Sequence, residues 1–156
     1  MTLLPPIKKI DDLNDEWDKD TIKDYRDPNI DLELLKIPSL HAKYCRIRSY
    51  HKQRSINLES EYKTLKELRR LWIEGKSDLE TLEKYKWEQF QGNPISTRTA
   101  QETKLDSDPI LNQIIDKIKV HDFVVDQCDM YIKELNSRTY ILRGVIDNRR
   151  YLKGHE

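Results

Sequence analysis

Ten cations crowd into the 34 residues from Lys43 to Lys76: Lys43, Arg46, Arg48, Lys52, Arg54, Lys63, Lys66, Arg69, Arg70 and Lys76. Tyr50, Tyr62 and Trp72 are interleaved with them. Cations neutralise phosphates and aromatic rings stack on bases, so these residue types at this density carry the chemistry of sequence-tolerant single-strand binding. Plainer readings stand beside it. Tyr62 and Trp72 share an apolar stripe with Leu58, Leu65 and Leu68, which is the pattern of core rings. The His51-Lys52-Gln53-Arg54-Ser55 run that breaks this stripe also reads as a solvated helical segment.

Other chemistries lack their residues. No Gly-rich loop is followed by Lys-Ser/Thr, so the chain has no motif for cradling a nucleotide phosphate and implies no cofactor. Cys-x-x-Cys and His-Glu-x-x-His are both absent, and His41, His51, His121 and His155 are dispersed. His121 and Cys128 share a helical face but lie two turns apart, too far for one metal ion within a single helix. The expectation is no metal site and no catalytic residue; the plentiful carboxylates read as solvated helix faces. Cys45 and Cys128 fall inside helical patterns and read as thiols in a reducing cytosol, not as a disulfide. The N-terminus lacks a basic region followed by an apolar run, so no signal peptide is expected, and no apolar stretch approaches the ~20 residues that span a membrane.

The elements that must carry the basic stretch are helices. With 37% hydrophobic and 36% charged residues, four glycines and two phenylalanines, the composition is that of long amphipathic helices. Four segments are expected: an acidic N-terminal segment, 1–36, a basic helical region, 37–91, a flexible linker, 92–107, and a C-terminal heptad helix, 108–154. Ile7, Ile10, Leu13 and Trp17 predict a short helix over 7–20, and Asp20 to Asn29 reads as a loop. Pro38-Ser39 predicts the start of a long helix that Gly75 ends. Ser77 or Asp78 caps a third helix predicted to reach Phe90. Formal charge sums to zero but is segregated: residues 37–76 hold 10 Lys/Arg against 4 Asp/Glu, whereas residues 1–36 hold 6 against 10. A polyanion surface needs that concentration.

Asp108-Pro109 predicts the start of the last helix. From there Ile114, Ile118, His121, Val125, Cys128, Ile132, Leu135, Thr139, Leu142, Ile146 and Arg149 step by four and three, a coiled-coil seam. A helix of this length spans about 65–70 Å, which exceeds the core of a small globule. It must find partners. One reading is an arm of an intramolecular hairpin; the preferred one is self-assembly, with Ile114, Ile118, Val125, Cys128, Ile132, Leu135, Leu142 and Ile146 as the oligomerisation seam. Asn136, Arg138 and Gly144 interrupt the apolar pattern and predict a bend or break near Asn136.

Three stretches resemble the UvsY recombination mediator family of myovirus-type phages. Ile37-Pro38-Ser39-Leu40-His41-Ala42-Lys43-Tyr44 is similar to the family's entry to its basic helix. Leu65-Lys66-Glu67-Leu68-Arg69 through Trp72-Ile73-Glu74-Gly75-Lys76 resembles its Leu-Lys-x-x-Arg, aromatic, Gly-Lys segment. Asn136-Ser137-Arg138-Thr139-Tyr140 through Asn148-Arg149-Arg150-Tyr151 and Gly154 resembles its C-terminal signature. In order and spacing the similarity covers about residues 7–154. Trp72-Ile73 departs from the two adjacent tyrosines usual in the family.

The resemblance implies an all-α, elongated subunit that assembles into a ring-like homo-oligomer. It implies a non-enzymatic factor that binds single-stranded DNA, contacts a RecA-like recombinase and a single-strand-binding protein, and helps load the first onto DNA covered by the second. It places the protein in the cytoplasm of the infected host cell and gives Lys66 and Arg69 a DNA-binding role. The alternative is a structural coiled-coil or scaffold protein without nucleic-acid binding, its basic helix solvated or paired with the acidic segment.

Overall fold

The computed structural model describes residues 4–21 and 24–154; His155 lies outside them. Five helices follow one another: α1 (Ile10–Asp20), α2 (Ile30–Ile73), α3 (Leu79–Tyr85), α4 (Arg98–Asp106) and α5 (Pro109–Lys153). No strand occurs among the described residues, as the composition predicts. The chain divides into two compact units, one formed by residues up to Gln53 and from Val120 onward, the other by Arg54–Lys119. The units therefore do not follow the four consecutive segments expected from charge and pattern.

In the first unit α2 and α5 run antiparallel, because Glu33 and Arg48 of α2 meet Arg138 and Asp129 of α5 in reversed order. Leu13 and Trp17 of α1 close the core over Tyr44 and Ile47 of α2 and Val124, Cys128 and Tyr131 of α5. Trp17 stacks on Tyr131 with ring centroids 4.2 Å apart, and Tyr44 stands edge-on to both rings. Such pairs each contribute about 0.5–1.5 kcal/mol beyond their buried area. The phenol tips find partners: Tyr131 donates to Asn14 Oδ1 at 2.5 Å and Tyr44 to Asp20 Oδ2 at 3.0 Å.

Two sequence expectations are corrected here. The long helix starts at Ile30, not at Pro38, which lies inside α2. An internal proline costs a helix ~3 kcal/mol. The turn before it is held by tertiary contacts that offset this: Ile30 and Ile37 are buried, and Glu33 pairs with Arg138. The break expected near Asn136 is absent, since α5 is one helix from Pro109 to Lys153. Arg138 does not disrupt it; its guanidinium is buried 3.6 Å from Glu33 Oε2.

In the second unit Leu65 and Ile73 of α2 pack with Leu105 of α4 and Leu111 and Ile114 of α5. Gly75 ends α2 as predicted, with φ +72° and the Lys76 amide donating back to Leu71 O at 2.9 Å. Left-handed Lys86 stops α3 short of the predicted Phe90. Residues 92–107, expected as a linker, instead hold α4. The stretch before α4 is tied to the end of α2: the Ile95 amide donates to Ile73 O, and Gln101 Nε2 donates to both Ile95 O and Glu74 Oε1. Gln101 and Leu105 are the residues α4 buries. Asp108 caps α5, accepting from the Ile110 amide at 2.9 Å.

Candidate nucleic-acid interface

Ion-pair partners sort the ten cations of α2 and its end into two kinds. In the first unit, Lys43 Nζ lies 2.9 Å from Glu16 Oε2 and 2.6 Å from Asp20 Oδ2. Partial burial works against its charge, but the hydrogen bonds it donates to Asp20 and Glu16 outweigh that and raise its pKa. Arg48 Nε donates to Asp129 Oδ1 at 2.6 Å. These two cations serve the fold. Arg46 and Lys52 are exposed and form no ion pair among the described residues; Arg46 Nε reaches only the Ala42 carbonyl, at 3.3 Å. Tyr50, on the same outward side as Arg46, is 52% exposed.

In the second unit, Arg69 is no surface residue. Its Nε donates to Asp108 Oδ2 at 2.5 Å, and the two side chains are only 8% and 5% exposed. Its guanidinium lies over the rings of Trp72, at 3.8 Å, and Trp87, at 4.7 Å. Lys66 pairs with Glu102 at 3.2 Å, and Arg70 bridges Glu102 and Glu67. Lys66 first, and Arg70 after it, hold the Glu102 carboxyl below the ordinary carboxylate range. Lys76 lies 3.4 Å from Glu74. Arg54 and Lys63 are the exposed cations of this unit's basic stretch that make no ion pair among the described residues. Lys66 and Arg69, the two positions the resemblance points to, are thus engaged in ion pairs. Tyr62 and Trp72 pack against the core, and Trp72 Nε1 donates to Glu88 O.

The heptad seam of α5 is spent within the chain. Val125, Cys128, Leu135 and Leu142 are buried in the first unit, with Ile132 and Ile146 packed against that core; Ile114 is buried in the second unit, with Ile118 beside it. The hairpin-arm reading describes these residues, and the self-assembly seam assigned to them is corrected accordingly. Burial pushes the Cys128 thiol up to about 12, away from reactivity. Among the apolar side chains α5 does present, Phe123, 59% exposed, Met130, 62% exposed, and Ile141 share one side, with Val120 at their edge; Tyr140, Tyr151 and Leu152 are exposed further along the helix. Sequence reading missed them because the seam's stronger period masked a second stripe on the opposite side.

A further pair was not legible in sequence. His51 and His121, 70 positions apart, meet Nδ1 to Nδ1 at 2.8 Å. Among the described residues no three His, Cys, Asp or Glu side chains gather as a metal would require.

A chain of two long helices, with cations exposed along α2 in each unit, defines a class: an all-α, long-helix protein. The chain belongs to the UvsY family, whose model, "Recombination, repair and ssDNA binding protein UvsY", matches residues 16–155. Its fold is that of the bacteriophage T4 recombination mediator protein UvsY. One crystal form of that protein, lattice type II, aligns with a TM-score of 0.76 at 18% identity, covering 94% of this chain and 99% of the other. Lattice types IV and I give TM-scores of 0.75 and 0.73, also at 18% identity, covering 92% and 90% of this chain and 98% of the other. No curated protein sequence matches the chain. No described helix is long and apolar enough to cross a membrane.

Proposed function

We infer that this protein is a non-enzymatic recombination mediator that binds single-stranded DNA through the cations of α2 left free by the fold. The observation that carries the reading is the sorting itself. Arg46 and Lys52 stay exposed with Tyr50 in the first unit, and Arg54 and Lys63 stay exposed in the second, in a chain that belongs to a family described by single-strand binding. Cations contact the backbone and an exposed ring stacks on any base, so binding is tolerant of sequence. The protein acts in the cytoplasm of the infected host cell. There it contacts a RecA-like recombinase and a single-strand-binding protein and helps the recombinase load on covered DNA.

Self-association supports this role, because linked weak sites on one strand bind together more tightly than each alone. The face for it is the outward stripe of Phe123, Met130 and Ile141. These side chains lie on the side of α5 away from its core, each a large apolar group left in solvent.

The rival reading is a scaffold without DNA binding. The pairing of Lys43 with Glu16 and Asp20 of the acidic α1 is what that reading expects; the four exposed cations with no ion pair among the described residues are not. Titration of labelled single-stranded DNA over a range of salt decides. The log–log slope is expected at roughly −0.7 per phosphate contacted. Arg46→Ala with Lys52→Ala should lower both affinity and slope while the oligomer stays intact. A salt-independent or absent signal in the parent protein would favour the scaffold.

A further inference from the structure

Near the C-terminal end of α5, in the first unit, two hollows of about 340 and 180 Å³ adjoin, sharing Asp31, Ile146 and Arg150. Their floor is apolar. Leu34 and Ile146 are half-buried, and Leu35 is 74% exposed on the open side. Their rim is cationic. Arg143 and Arg150 stand two turns apart on one face of α5, with Lys153 beyond them, and none makes an ion pair among the described residues. Arg149 braces the far wall, donating to Asp27 O at 2.8 Å and Tyr25 O at 2.6 Å. Four cations thus face two carboxylates, Asp31 and Asp147.

We propose that this groove between the start of α2 and the end of α5 docks an acidic peptide segment of a partner protein, with an apolar side chain on Leu34, Leu35 and Ile146 and carboxylates at Arg143 and Arg150. Charge complementarity selects the occupant. The two guanidinium-bearing positions are separated by a rise of about 10 Å along the helix, which an extended peptide spans in about three residues. The matching segment therefore carries two acidic residues about three positions apart with a Leu or Phe between them. Nucleic acid fits less well. The floor offers aliphatic side chains and no ring for stacking, and Asp31 and Asp147 would repel a phosphodiester while accepting peptide N–H donors.

The test uses the full-length protein and a short fluorescein-labelled peptide of Glu and Asp around a central Phe, with a Lys-for-Glu counterpart as control. Fluorescence anisotropy is expected to show saturable binding of the acidic peptide only. Arg143→Glu with Arg150→Glu should weaken it at least about tenfold. Leu35→Asp, a change at an exposed position, should weaken it without altering the far-ultraviolet circular dichroism. The proposal is overturned if the acidic peptide does not bind at millimolar concentration, if the Lys counterpart binds equally, or if both variants bind the peptide like the parent. It is also overturned if the variants change the oligomer mass, which would make a second copy the occupant, or if they chiefly lose single-stranded DNA, which would make the groove part of the nucleic-acid surface.

Discussion

The Nδ1 atoms of His51 and His121 face each other at 2.8 Å across α2 and α5, and His51 is buried. One ring must donate and the other accept, so the contact holds one proton but not two. Burial first, and the neighbouring His121 second, lower the His51 pKa to about 4. An unfolded histidine titrates near 6.5, so below that value the unfolded chain takes up a proton that the folded one refuses. The pair's contribution is therefore complete above pH 6.5 and is lost as pH falls toward 4. Urea unfolding should show a decline of about 1–3 kcal/mol across that window. His51→Gln should flatten the decline; an equally steep profile in that variant would assign the loss to other groups.

Arg69→Ala should cost about 3–5 kcal/mol, because it strands a buried Asp108 carboxylate and strips a cation from between two indoles. Chemical denaturation measures this directly. Once folded, the variant should keep the parent's salt slope for single-stranded DNA, since the buried guanidinium releases no counterion. A reduced slope would return Arg69 to the DNA surface.

Tyr50→Ala should weaken single-strand binding by about 1–3 kcal/mol, the range for one stacked base. Its ring lies outside the core, so the unfolding midpoint should barely move. Tyr62→Ala should do the reverse, costing stability while leaving the affinity of the folded protein intact. Quenching of tyrosine fluorescence on DNA addition, lost in the Tyr50 variant, would report the stack itself.

The two faces of α5 should separate in mutagenesis. Leu142→Asp puts a charge into a fully buried site and should unfold the first unit at a cost of several kcal/mol. Phe123→Asp with Met130→Asp should leave each chain folded but reduce the oligomer mass measured by light scattering. An unchanged mass would move self-association to another surface.

Much of the architecture could be read locally. The heptad period of α5, its Asp108-Pro109 start, the Gly75 stop of α2 and the short α1 follow from side-chain spacing and cap chemistry, which operate over one or two turns. The departures came where distant residues settled the matter. Pro38 stands inside α2 because Ile30, Ile37 and the Glu33–Arg138 pair hold the turn before it, and Arg138 is tolerated in α5 for the same reason. The polar 92–107 stretch looks like a linker until Ile95 and Gln101 bond to the end of α2.

The candidate site divides along the same line. Residue order alone concentrates ten cations between Lys43 and Lys76, and composition favours a helical chain. Which of them remain free depends on partners far along the chain: Asp108 for Arg69, Asp129 for Arg48, Glu16 and Asp20 for Lys43, Glu102 for Lys66. A helical period marks which side chains share a face. It cannot mark what that face meets, so the tertiary structure alone decided that the apolar seam of α5 closes within the chain and that Arg46, Lys52, Arg54 and Lys63 are left to the solvent.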